Sequence, residues 1–158
     1  MASLASFAAS LLGFKSTRAE DKLPPGLTPV THTVEEWRKL LTPEQFAILR
    51  EESTEAPRSS PLNDEHREGT FVCAGCELPL FTSKMKFDSG TGWPSFFTTI
   101  KDHVATKTDY KIIVPRTEYH CVRCGGHHGH VFKDGPPPTG LRFCNNGFAL
   151  KFQPGSVS

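Results

Sequence analysis

The sequence predicts a mainly β domain, two antiparallel sheets forming a sandwich or open barrel, preceded by short helices and stapled by cysteines. Three observations predict it. From Thr70 onward, short apolar or β-branched runs alternate with Gly, Pro, Asn and Asp, the texture of strands joined by turns. Thirteen Gly and thirteen Pro favour turns over long helices. Four of the five cysteines form two CxxC pairs, Cys73/Cys76 and Cys121/Cys124, which suggests a metal site plus one free thiol.

The 158 residues suffice for one domain with an N-terminal extension. Residues 1–14, MASLASFAASLLGF, are apolar but shorter than the roughly 20 residues of a membrane-spanning helix. With Thr17-Arg18-Ala19 they resemble a secretory signal, although Lys15 and Arg18 follow the apolar run instead of preceding it. Two localisations stay open: export to a periplasm, if residues 1–19 are the remnant of a signal peptide, or a cytoplasmic protein with a disordered leader. The expected division is a leader and Pro-rich linker over 1–31, one domain over 32–153 and a tail over 154–158.

Two helix starts follow. Thr33-Val34-Glu35-Glu36 is a capping box with Trp37, Leu40 and Leu41 behind it. Thr42-Pro43-Glu44-Gln45 is a second, with Pro43 at the tolerated first position and Phe46, Ile48 and Leu49 as its apolar face. Residues 53–69 are polar and interrupted by Pro, so they are expected to cross the surface as a long loop. Strands are expected at 70–72, 80–82, 85–87, 110–114, 118–120, 130–132, 141–143 and 148–152.

The segments FVCAGCELPLF and YHCVRCGGHHG look like two zinc knuckles. A CxxC turn lets two thiolates converge on one ion, and two such turns complete a tetrahedral Cys₄ site of the kind zinc fills. The competing reading is a redox disulfide, but that motif usually opens a helix, and strand texture surrounds both pairs here. A closed Cys₄ site is structural, which leaves Cys144 as the thiol free to react. An isolated cysteine is commonly a small buried hydrophobe. Against that, Arg142 would share its strand face and could lower the thiol pKa. Asn145 and Asn146 supply amides, and His127, His128 and His130 offer proton donors. Strand alternation puts His128 and His130 on one face and His127 on the other, unless a loop at Gly129 intervenes. In DSGTGWPSFF (88–97) the paired glycines can present Trp93, with Phe96 and Phe97 beside it, as an apolar wall for a small methyl-bearing group. A net charge of +1 gives no footing for a nucleic-acid surface.

Taken together, CAGC, SGTGWPSFF, TKTDYKIIVPRTE, CxxCGGHHGHVF, DGPPPTGLRFCNN and ALKF, in this order over residues 34–153, resemble methionine sulfoxide reductase type B. The resemblance implies a mainly β fold and thiol-dependent reduction of the R epimer of methionine sulfoxide, peptide-bound or free, through a cysteine sulfenic acid. It implies Cys144 as nucleophile, His127 and His130 as groups that place or protonate the sulfoxide oxygen, and Asn146 as an orienting group. Trp93 would pack against the substrate methyl, with Arg142, Asp134 and Phe143 at supporting positions. Cys73, Cys76, Cys121 and Cys124 match the ligands of one structural zinc, with no organic cofactor.

Many members of that family place a resolving cysteine where this chain has Thr91. With four cysteines committed to zinc, a one-cysteine cycle is expected, reduced by thioredoxin, glutaredoxin or glutathione. His128, Phe143 and Gly147-Phe148 are milder departures. A monomer with oxidised proteins or peptides as substrate is expected, with no nucleic-acid partner and no stable membrane association. The alternative from another class is a non-enzymatic zinc-binding protein-interaction module, which would tolerate loss of Cys144 and Trp93.

Overall fold

The structure is a computed structural model that describes residues 23–158; the signal-like stretch at 1–19 lies outside the described residues. Both expected helices form, α1 at Val34–Leu40 and α2 at Pro43–Glu51. Each starts in a reciprocal capping box, Thr33 with Glu36 and Thr42 with Gln45, worth about 1 kcal/mol each. Trp37, Leu41, Phe46, Ile48 and Leu49 are buried, whereas Leu40, expected on the apolar face, is exposed. The Pro-rich segment before them is tied down at Val30, whose N–H donates to the Arg123 carbonyl at 2.9 Å.

Nine strands follow: β1 Gly69–Cys73, β2 Pro79–Thr82, β3 Lys86–Phe87, β4 Ser95–Phe96, β5 Val104–Asp109, β6 Arg116–Cys121, β7 His127–Phe132, β8 Arg142–Asn145 and β9 Leu150–Pro154. They make two antiparallel sheets, of order β2-β1-β9 and β3-β4-β8-β7-β6-β5. Aromatic rings fill the space between: Phe81 stacks on Phe96 at 3.9 Å and meets Tyr119 edge-on, and Phe71 contacts both Phe96 and Phe152. Full burial of rings of this size contributes about 2–3 kcal/mol each, so this layer sets the sheet-to-sheet register.

One strand expectation is corrected, and two strands were not expected. The run Tyr110–Val114 is not a strand; it is the tip of the β5–β6 hairpin, with Ile113 fully exposed. The strand is the polar Val104–Asp109, an edge strand that leaves Thr106, Lys107 and Thr108 exposed and so lacks an apolar signature. The two-residue strand β4 carries no pattern long enough to be read. Segment 53–69 is also more than a surface loop: it contains a short 3₁₀ turn at Pro61–Asp64 and buries Ser60. No helix among the described residues is long and apolar enough to cross a membrane.

Candidate active site and metal centre

The two CxxC turns form where β1 leads to β2 and β6 leads to β7. They close in the same way: the Glu77 and Gly125 N–H groups donate to the Cys73 and Cys121 carbonyls at 2.8 and 2.9 Å. Gly125 sits at φ 71°, the left-handed backbone that glycine adopts without strain. The turns bring all four sulfurs within 4.8 Å of one another, with Cys73–Cys124 at 3.6 Å and Cys76–Cys121 at 3.5 Å. All four are free thiols. Four thiolates placed tetrahedrally about 2.3 Å from one ion lie about 3.8 Å apart, so this donor set fits a metal without rearrangement. Thiol donors, Cys121 first, hold Cys76 and Cys124 below the ordinary thiol range, while contacts within the cluster and burial push Cys73 and Cys121 up. Two of the four thiols are thus biased toward the thiolate, the form a cation needs, and the other two hold their protons against them.

Cys144 lies elsewhere, on β8 in the larger sheet. Register puts it opposite His130 on one side and Ser95 on the other. Strand alternation puts Arg142 on the same face, two residues away. The residues facing the thiol bound a cavity of about 250 Å³, walled by Trp93, Phe132, His130, Arg142, Asn146 and Thr91 among others. Burial pushes the Cys144 thiol up, and the Arg142 guanidinium opposes that push only in part. The sequence expectation that Arg142 lowers the thiol pKa holds for its own effect but not for the balance.

The histidines are arranged differently from strand alternation. The β6–β7 ladder shifts register between Tyr119 and His120, pairing Tyr119 with Gly129 and His120 with His127. The resulting bulge puts His127 back on the side of His130, their rings 5.7 Å apart. His128 points the other way, fully buried, with Nε2 3.3 Å from the Cys73 sulfur and Nδ1 3.4 Å from the Asn145 amide. Burial pushes His128 down to about 3, so it is a neutral link between the cysteine cluster and the Cys144 strand. At Gly129 a Cβ would overlap the Cys144 carbonyl; the close approach of β7 to β8 requires glycine there.

His130 Nε2 is 2.8 Å from the Asp109 Oδ2. Asp109 is itself held low, first by the Lys111 N–H and then by His130, and Arg116 donates to the same oxygen at 3.0 Å. An ionised Asp109 fixes the His130 tautomer with its proton on Nε2. Burial pushes the His130 pKa down and the Asp109 bond opposes it. His127 does not line the cavity; it is buried, with Nδ1 2.9 Å from Glu118 Oε1. Burial alone would raise the Glu118 pKa, yet the balance is lowered, with His127 as the main opposing influence.

Trp93 is half-buried and held by its indole N–H, which donates to the Glu55 carbonyl at 3.1 Å. Gly90 and Gly92, at φ 72° and 93°, make the turn before it. A Cβ on Gly92 would press on Pro57 and Arg58. The Asn146 amide is locked by accepting from the Glu55 N–H at 3.0 Å and donating to the His128 carbonyl at 2.9 Å. Arg142 and Asp134 form a two-pronged ion pair at 2.9 and 3.1 Å, and the guanidinium lies 4.3 Å over the Phe132 ring.

Three expectations are corrected by position. Phe143 alternates away from the cavity into the core, against Tyr119 and Phe81. Phe96 is fully buried beneath the site, and the apolar wall opposite Trp93 is Phe132. Asp134 is exposed and reaches the cavity only through Arg142. Residues the sequence reading missed are Asp109, Glu118 and Glu55. A carboxylate within the RTEYHC strand was a usable signal for Glu118. Asp109 and Glu55 owe their roles to distant partners and had none.

This fold and site define a class, and comparison with known proteins identifies it. The family model described as SelR domain matches residues 41–154. A protein of Bradyrhizobium diazoefficiens named peptide methionine sulfoxide reductase MsrB is 52% identical over 126 residues, covering 79% of this chain and 91% of that protein. Proteins of the same name from Pseudomonas putida (strain W619) and Agrobacterium fabrum are 50% and 51% identical, covering 79% and 75% of this chain and 95% and 89% of theirs. The chain belongs to the SelR domain family, which bears out the resemblance carried by its motifs.

Proposed function

We propose that the protein is a peptide-methionine (R)-S-oxide reductase, an oxidoreductase that turns methionine sulfoxide into methionine at Cys144. The observation that carries this reading is Cys144 itself, the one cysteine outside the four-sulfur cluster, facing a cavity with an aromatic wall and a carboxylate-backed histidine. Trp93 and Phe132 receive the S-methyl group, and the polar side receives the sulfoxide oxygen.

Nδ1 of neutral His130 takes the Cys144 proton, and the Asp109 carboxylate stabilises the imidazolium that results. The thiolate attacks the sulfoxide sulfur as His130 returns the proton to the sulfoxide oxygen, giving an S–S-bonded intermediate that carries the hydroxyl on the substrate sulfur. The hydroxyl then passes to the Cys144 sulfur as the substrate S–O bond and the S–S bond break; methionine leaves, reduced by two electrons, and Cys144 is oxidised by two electrons to a sulfenic acid. Two external thiols restore the enzyme: one displaces water to form a mixed disulfide, and the second releases Cys144 and leaves an external disulfide. Thioredoxin, glutaredoxin or glutathione supplies these thiols, because Thr91 stands in the cavity wall where a resolving cysteine would have to be. Arg142 eases thiolate formation and Asp134 positions it. Asn146 orients the floor of the site, and His127 with Glu118 supports His130 from behind.

The ion assigned to Cys73, Cys76, Cys121 and Cys124 is zinc, whose preference for four thiolates matches the donor set. When bound it staples the two CxxC turns and takes no part in the chemistry.

The test is reduction of the separated R and S epimers of a methionine sulfoxide peptide with dithiothreitol, by wild type and Cys144→Ser. Turnover of the R epimer alone, abolished in the variant, is expected. No turnover of either epimer by folded, metal-loaded wild type would leave the protein-interaction module as the better reading.

A further inference from the structure

The tip of the β5–β6 hairpin is the most apolar uncovered surface of the described chain. Of the six large apolar side chains exposed among the described residues, four are here, consecutive or nearly so: Tyr110 (76%), Ile112 (49%), Ile113 (102%) and Val114 (67%). Apolar side chains scattered singly need no explanation, but a cluster does. Its roots are part of the candidate site. Asp109 and Arg116 are the pair that closes the hairpin; Asp109 holds His130, and Arg116 lines the cavity. Lys111, inside the apolar run, ties the loop back to the domain at the surface: its N–H donates to Asp109 and its ammonium pairs with Glu52 at 2.6 Å. Pro115 fixes the returning backbone. The loop is thus anchored by its polar residues and displays its apolar ones.

A cavity of about 250 Å³ holds one side chain and no more. In a protein substrate, the residues flanking the sulfoxide must therefore lie on the rim. Methionine is a core residue, and its oxidation puts a polar group among apolar neighbours and loosens that core. The segment presented is then rich in exposed aliphatic side chains. We infer that the Tyr110–Val114 tip is a docking surface for the apolar residues flanking methionine sulfoxide in partly unfolded protein substrates. This rests on the reductase reading and assigns the substrate class of the same site.

The test compares kcat/KM, with dithiothreitol as reductant, on three substrates: N-acetylmethionine sulfoxide, a sulfoxide peptide flanked by Leu and Ile, and the same peptide flanked by Ser. Wild type is expected to favour the Leu/Ile peptide by about tenfold, chiefly through KM. The double variant Ile112→Ser/Ile113→Ser loses that preference, while its turnover of N-acetylmethionine sulfoxide stays within about twofold, which also certifies its fold. A wild type without the preference, or a variant that keeps it, overturns the docking surface and leaves the reductase intact. Unchanged peptide kinetics with a slower rate only when thioredoxin replaces dithiothreitol would reassign the tip to the reductant and equally overturn the proposal. Failure of wild type on all three substrates would instead be failure of the reductase reading.

Discussion

Cys144 is caught between two opposed influences. Burial makes its thiolate costly, and the Arg142 guanidinium on the same strand face offsets part of that cost. Asp134 holds the guanidinium but is 65% exposed, so the pair is worth at most about 1 kcal/mol of stability. Its importance is positional. Arg142→Ala should therefore leave the melting temperature nearly unchanged and raise the thiol pKa further. The rising limb of the kcat/KM–pH profile moves to higher pH by about one unit, costing about tenfold at neutral pH. Arg142→Lys restores part of it. A profile that keeps its position in Arg142→Ala would show that Arg142 does not bear on the thiolate. Arg142 was legible because i,i+2 neighbours on a strand share a face. Asp109 and Glu55 were not, since one acts through the tautomer of a distant histidine and the other through its backbone carbonyl and N–H.

At the level of elements, one register shift decides which way the three histidines point. Strict alternation groups His128 with His130; the bulge opposite His120 groups His127 with His130 and sends His128 to the cysteine cluster. Periodicity alone cannot reveal a bulge, because the extra residue leaves no mark in an apolar pattern. The CxxC turns and capping boxes were legible because each is fixed by residues three apart. The run at 110–114 misled because β-branched residues with strand propensity sit on a hairpin tip, while the strand beside it is polar. The two cysteine turns belong to different sheets, so their ion would join β1–β2 to β6–β7. Metal analysis of the purified protein should give one zinc per chain. Cys124→Ser or prolonged chelation should remove it and lower the thermal midpoint by more than about 10 °C. A folded, active, metal-free protein with an unchanged midpoint would contradict a stapling ion.

On the scale of the whole molecule, the site exists only when the larger sheet and the segment after α2 are assembled. Glu55 comes from that segment, Trp93 from the turn before β4 and Asn146 from the end of β8. The backbone of Glu55 ties the other two together, its carbonyl accepting from the Trp93 indole N–H and its N–H donating to the Asn146 side-chain Oδ1. The division of the cysteines is likewise a property of the fold: four converge on one cluster, and the fifth faces the cavity with Thr91 in its wall. The central claim is that Cys144 alone carries the oxygen away from the substrate. The direct measurement is a single turnover of wild type on an R-sulfoxide peptide with no thiol present, read by mass spectrometry. We predict one methionine formed per enzyme and a gain of about 16 Da, one oxygen, confined to the peptide containing Cys144. A burst that leaves Cys144 unmodified, or a disulfide between Cys144 and one of the other four cysteines, would contradict it.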